Sequence, residues 1–194
     1  MMQQTKPIII VCEGQSEVAY IQELNRLLTE NHIRVVLIPK NAGGGHYSQV
    51  GKRYKGEKAR NPRSQILIWV DYDIHARNDN ETRTAYENKT QGIPDFYFNH
   101  QNFEDFLALH LSKEVIEDWQ TRCLQHGHFT QPLHADQYKD LYRSHVSKDY
   151  LKGEMPFELS IEHIKQLCDN NADSQVSFSS DFASWLQGQL QGYL

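Results

Sequence analysis

Apolar positions along this chain fall into short β-branched runs that alternate with longer stretches of helical spacing. PIIIVC at 7–12 is the first run, unbroken by polar residues, as expected of a strand buried on both faces. Glu13-Gly14 ends it. SEVAYIQELNRLLTENH then sets Val18, Ile21, Leu24, Leu27 and Leu28 at helical intervals, with Ser16 placed to cap the helix. IRVVLIP at 33–39 predicts a second strand, and a strand–helix–strand unit of this length predicts a parallel pair. QILIWV at 65–70 and DFYFN at 95–99 predict the third and fourth strands. The segment 40–64 is rich in Gly, Lys and Arg without strong periodicity, although Tyr47, Val50 and Tyr54 hint at a helix within it. A polar stretch of alternating charge predicts a surface helix around 81–89.

FEDFLALHLSKEVIEDWQTRCLQHG, from Phe103 onward, carries Phe106, Leu107, Leu111, Val115 and Trp119 on one face and predicts one amphipathic helix. The tail, 130–194, reads as two or three helices, with IEHIKQLC and FASWLQGQL the clearest. Strands alternating with helices imply an α/β fold with a mostly parallel sheet. The expected organisation is a core over 1–125 and a helical extension over 126–194 packed on it.

Ligands of such sheets sit beyond the carboxyl ends of the strands. Two strands end there in acids: Glu13 after the first, Asp71 and Asp73 after the third. If the third strand continues, Asp71 and Asp73 share a face with Tyr72 opposed. Adjacent carboxylates repel, and a hard divalent cation relieves that conflict; Mg²⁺ commonly uses one or two carboxylates plus water and phosphate oxygens. Glu13 stands either as a third ligand or as a general acid/base. The bland alternative is a solvent-exposed pair that starts a loop.

Charge refines the picture. Twenty Lys and Arg against 25 Asp and Glu leave a net charge of −5, which argues against a protein that coats nucleic acid nonspecifically. Yet Lys52, Arg53, Lys55, Lys58, Arg60 and Arg63 fall within twelve residues, opposed by Glu57. Such a run is either a solvated surface or a phosphate-facing patch, and its place just before the acid-bearing strand suits the second. No apolar run approaches the roughly 18 residues of a membrane span. The first apolar stretch is too short for a signal peptide, so a cytoplasmic protein is expected. Three widely spaced cysteines do not make a disulfide framework.

VCEGQSE and WVDYDIH, in this order and on these predicted strands, resemble the Toprim domain. NFEDFLALH at 102–110 and DYLKG at 149–153 bring the chain closer to the RloB-like proteins, over roughly residues 7–155. The chain departs from that pattern in lacking the usual proline before Phe-Glu and in having Phe106 where tryptophan is common. The resemblance implies a Rossmann-like Toprim fold in which Glu13 is general acid/base and Asp71 and Asp73 hold Mg²⁺, with Mn²⁺ as substitute. It implies a nuclease related to the OLD type, acting on DNA or RNA in bacterial restriction or anti-phage defence. The acidic net charge fits a site that relies on metal to attract phosphate, and equally a complex with a partner such as an ATPase from the same locus. The alternative within that fold is a non-catalytic module that binds nucleic acid or nucleotide and regulates such a partner. A phosphohydrolase of small phosphorylated molecules is a third reading, which the basic segment disfavours.

Glu104 and His110 belong to the helical motif. Glu104 either favours the positive end of its helix or joins the acids as a further ligand. His110, on the apolar stripe, is either a hydrogen-bonded core residue or a participant in the chemistry. Lys152, in DYLKG, joins the basic candidates for nucleic-acid contact. NAGGGHYSQVGKRYKG fails the phosphate-loop pattern, because Gly45 and Gly51 enclose five residues and Arg53 follows Lys52. Its glycines serve either a turn or a close approach to phosphate. Cys123, His126, His128 and His134 lack the two separated ligand pairs of a zinc site.

Overall fold

The computed structural model describes residues 7–72, 95–125, 135–146, 151 and 153–193. Strands β1 (Ile8–Cys12), β2 (Leu37–Asn41), β3 (Ile66–Asp71) and β4 (Phe96–Asn99) form one sheet in the order β2-β1-β3-β4. Every pairing is parallel, as the strand–helix rhythm predicts. The two continuously apolar strands, β1 and β3, lie in the middle and are buried throughout.

Side-chain alternation divides the core. Ile8, Ile10 and Cys12 of β1, with Leu67 and Trp69 of β3, meet most of the helices; Ile9, Val11, Ile66, Ile68 and Val70 face the other way. The first face is covered by α1 (Gln15–Glu30), α3 (Phe103–Ala108), α4 (Lys113–Gln125), α5 (Ala135–His145), α6 (Ile161–Ala172) and α7 (Asp181–Leu190). The second face receives Val50 and Tyr54 of α2 (Tyr47–Arg60). The C-terminal helices share the sheet's own core: the Phe182 ring stacks on Trp69 at 4.1 Å and 16°. No helix among the described residues is long and apolar enough to cross a membrane.

Three local departures from the sequence pattern have physical causes. The second strand starts at Leu37, four residues later than the β-branched run suggests. His32 adopts a positive φ of 55° and Ile33 dips into the core, while Asn25 of α1 bonds both backbone groups of Leu37. The cap of α1 is Gly14, whose N–H is accepted by the Glu17 carboxylate at 3.0 Å; Ser16 instead lies buried in the first turn and accepts from Gly153 N. The predicted long helix after Phe103 is two, broken at 109–112. Asn170 donates to the Leu109 and Leu111 carbonyls, and His110 Nδ1 faces those of Phe106 and Leu107, so the broken turn keeps its polar groups satisfied. The helix that Tyr47, Val50 and Tyr54 hint at within the segment 40–64 is α2, 14 residues long, and it carries most of the basic run. The predicted helix at 81–89 lies outside the described residues.

Candidate functional site

Because β1 and β3 are neighbours running in the same direction, their terminal acids meet at one edge. Glu13 continues the ladder past Cys12, its N–H donating to Trp69 O at 3.2 Å. Its side chain turns across to β3, where Oε2 accepts from Asp71 N at 3.0 Å. The loop after β2 is laced over this point, with Ala42 N donating to Cys12 O and Gly44 N to Glu13 O, both at 2.8 Å. Gly43 and Gly44 have positive φ, and a Cβ built on Gly45 would stand 2.5 Å from the Glu13 carboxyl carbon. The glycines thus serve both a turn and a close approach, the approach being to Glu13.

Asp71 is buried, and each of its carboxylate oxygens has a protein donor. Asn99 Nδ2 donates to Oδ1 and Phe103 N to Oδ2, both at 2.9 Å. The second bond comes from the start of α3, which Asn102 caps by accepting from Asp105 N at 3.0 Å. Asp73 lies outside the described residues.

A further acid stands beside this pair. Glu17 is buried on the first turn of α1, and its carboxyl is pushed up to about 8 by burial first and by the negative charge of Glu13 next. Glu104, half-buried in the first turn of α3, adds to the same effect. Glu17 therefore holds a proton at neutral pH. Glu17 closes the VCEGQSE stretch, and its place three residues after Gly14 is the reciprocal position of a capping box. Among the described residues no group of three His, Cys, Asp or Glu side chains is gathered as a metal cage.

His110 lies in the core instead of at this edge. Its Nδ1 faces two carbonyl oxygens and must donate, so Nε2 accepts the Tyr20 hydroxyl at 3.0 Å. Burial pushes the imidazole down to about 3, and it is neutral at physiological pH. Its bonds tie α3 to α1 behind the site.

The basic candidates are carried by α2 and the turn that follows. Lys52, Lys55, Lys58, Arg60 and Arg63 are exposed. Arg53 is half-buried and pairs with the buried Glu57 at 3.4 Å, as does Arg60 at 3.3 Å. Lys52, Arg53 and Arg60, with Gln49 and Asn41, line a groove of about 490 Å³ along the end of β2. Lys152 lies outside the described residues, as do His126, His128 and His134; Cys123 is a buried residue of α4.

Neither the curated proteins nor the solved structures contain a match to the chain. The family model described as RloB-like protein matches residues 8–184, which takes in the sheet, the acid edge, the basic helix and the start of α7. The chain belongs to the RloB-like protein family.

Proposed function

We propose that this protein is a divalent-metal-dependent nuclease of the Toprim kind, acting on DNA or RNA in bacterial defence together with an ATPase partner. The observation that carries the reading is the meeting of Glu13 and Asp71 at the carboxyl edge of adjacent parallel strands, bonded through Asp71 N. The donor set fits a hard cation: carboxylate oxygens from Glu13 and Asp71, with Asp73 two residues further along the chain, beside a Glu17 carboxyl kept protonated by burial first and by the charge of Glu13 next. Mg²⁺ or Mn²⁺ bound there would supply charge neutralisation at the scissile phosphate and a more acidic water.

The chain's own residues do the rest. Asp71, fixed by Asn99 and the Phe103 N–H, presents its charge in one orientation. Glu13, backed by Asp71 N, moves a proton to or from the oxygen that attacks or leaves. The exposed Lys and Arg of α2 neutralise the polymer's backbone beside the acids. A second reading, a non-catalytic module that binds nucleic acid or nucleotide and regulates the ATPase, draws on the protein donors that already occupy both Asp71 oxygens.

Labelled single- and double-stranded DNA and RNA, incubated with Mg²⁺ or Mn²⁺, separate the two readings. Cutting that Glu13→Ala abolishes supports the enzyme; metal-independent binding without cutting on any polymer supports the module. Two variants probe the arrangement. Gly45→Ala places a methyl against the Glu13 carboxylate and displaces it from Asp71 N. Cleavage is expected to fall on the order of 10²-fold, with denaturation midpoints close to wild type. The double variant Lys52→Glu, Arg60→Glu is expected to weaken polymer binding and to lower the slope of log K against log salt by about two. An unchanged slope would remove the groove from the interface.

A further inference from the structure

Asn99 stands at the end of β4, in register with Asp71, and is buried. Trp69 Nε1 donates to its Oδ1 at 2.9 Å and Ser180 Oγ at 2.8 Å, while its Nδ2 donates to Asp71 Oδ1 at 2.9 Å. An indole nitrogen only donates, so turning the amide over would set N–H against N–H. The amide therefore has one permitted orientation, and it points a donor at Asp71.

Ser180 is itself held. It caps α7 by accepting from Ala183 N at 3.3 Å, its own N–H bonds Asn171 Oδ1, and Ser180 and Asn99 form an isolated antiparallel bridge. On either side of Ser180, Ser179 O accepts from His100 N and Asp181 Oδ2 from Phe98 N. The C-terminal helix thereby reaches Asp71 through one side chain.

We infer that Asn99 is a positioning residue for Asp71, holding its carboxylate in the orientation that receives a divalent cation. The inference rests on the metal-dependent reading above. Removing the donor frees the carboxylate to rotate; replacing it with an acid sets two carboxylates at hydrogen-bond distance, where they share a proton.

Asn99→Asp separates this role from a structural one, because it keeps an oxygen for Trp69 and Ser180 and replaces the fixed amide donor toward Asp71 with a shared proton that the cation must displace. Calorimetric titration of the full chain with Mn²⁺, in buffers of different ionisation enthalpy, gives affinity and proton release together. Asn99→Asp is expected to bind Mn²⁺ roughly 10–100-fold more weakly than wild type and to release about one more proton per ion. Ser180→Ala, which leaves the indole donor in place, is expected to lose less. Wild-type affinity and proton release in a folded Asn99→Asp would overturn the inference. A wild-type chain that takes up no Mn²⁺ would instead overturn the metal-dependent reading. A crystal structure of metal-free Asn99→Ala covers that outcome, and any failure of Asn99→Asp to fold. An Asp71 carboxylate swung off the Phe103 N–H supports positioning; one that has not moved refutes it.

Discussion

Asp71→Ala is expected to abolish metal-dependent cleavage, by about three orders of magnitude or more, and to lower stability by roughly 2–4 kcal/mol. The two effects have separate causes. The catalytic loss follows from removing a charge that would hold the cation, which is asked to supply several kcal/mol of transition-state stabilisation. The stability loss follows from stranding two buried donors, Asn99 Nδ2 and Phe103 N, each losing its acceptor. Asp71→Asn does not escape the second effect. Its amide offers one oxygen to two donors, and Asn99 cannot turn over to help because Trp69 and Ser180 hold its oxygen. Both variants should therefore be assayed at a temperature where urea denaturation shows them folded. Cleavage that survives in either, on a polymer the wild type cuts with Mg²⁺, would sink the assignment of Asp71 as a ligand.

The sheet and its acid edge were legible in the sequence because both rest on strong local signals. PIIIVC and ILIWV are apolar runs without polar interruption, and an acid at the end of each has one place to go once the strands are parallel. Much of what the sequence did not reveal depends on partners remote along the chain. The break at 109–112 is stabilised by Asn170, some sixty residues away, and no periodicity announces it. The late start of β2 turns on Asn25 of the preceding helix. Ser16 carries the right side chain for a cap, yet Glu17 reaches back to Gly14 and the helix begins two residues earlier. Asn99 reads as an ordinary strand end; its importance appears only when β4 is seen beside β3 and α7 is seen to deliver Ser180. Glu57, in turn, organises Arg53 and Arg60 from within a segment whose composition resembles a loop.

Stability of the metal-free protein is expected to be greatest at about pH 5–6 and to fall on both sides, because two buried groups are shifted in opposite senses. Glu17, ordinarily near 4.5, is pushed up to about 8 by burial and then by Glu13. Between those values the unfolded chain has released a proton that the folded chain keeps. Rising pH therefore favours unfolding across that window, with a full effect on the order of 4 kcal/mol above it. His110, ordinarily near 6.5, is pushed down to about 3 by burial. As pH falls between those values the unfolded chain takes up a proton the folded chain refuses, so acid also favours unfolding, by a similar amount. Urea denaturation across pH 4–9 measures both limbs. Glu17→Gln keeps an acceptor for the Gly14 N–H and is expected to flatten the alkaline limb alone. His110→Gln is expected to flatten the acid limb, from a lower starting stability because the Tyr20 and backbone bonds are compromised. Saturating Mg²⁺ should restore part of the stability on the alkaline side, since a cation held by Glu13 and Asp71 removes the share of the upward shift that the charge of Glu13 adds to burial. A wild-type alkaline limb that is flat, or that Mg²⁺ leaves unchanged, would mean that Glu17 does not feel the charge of that edge.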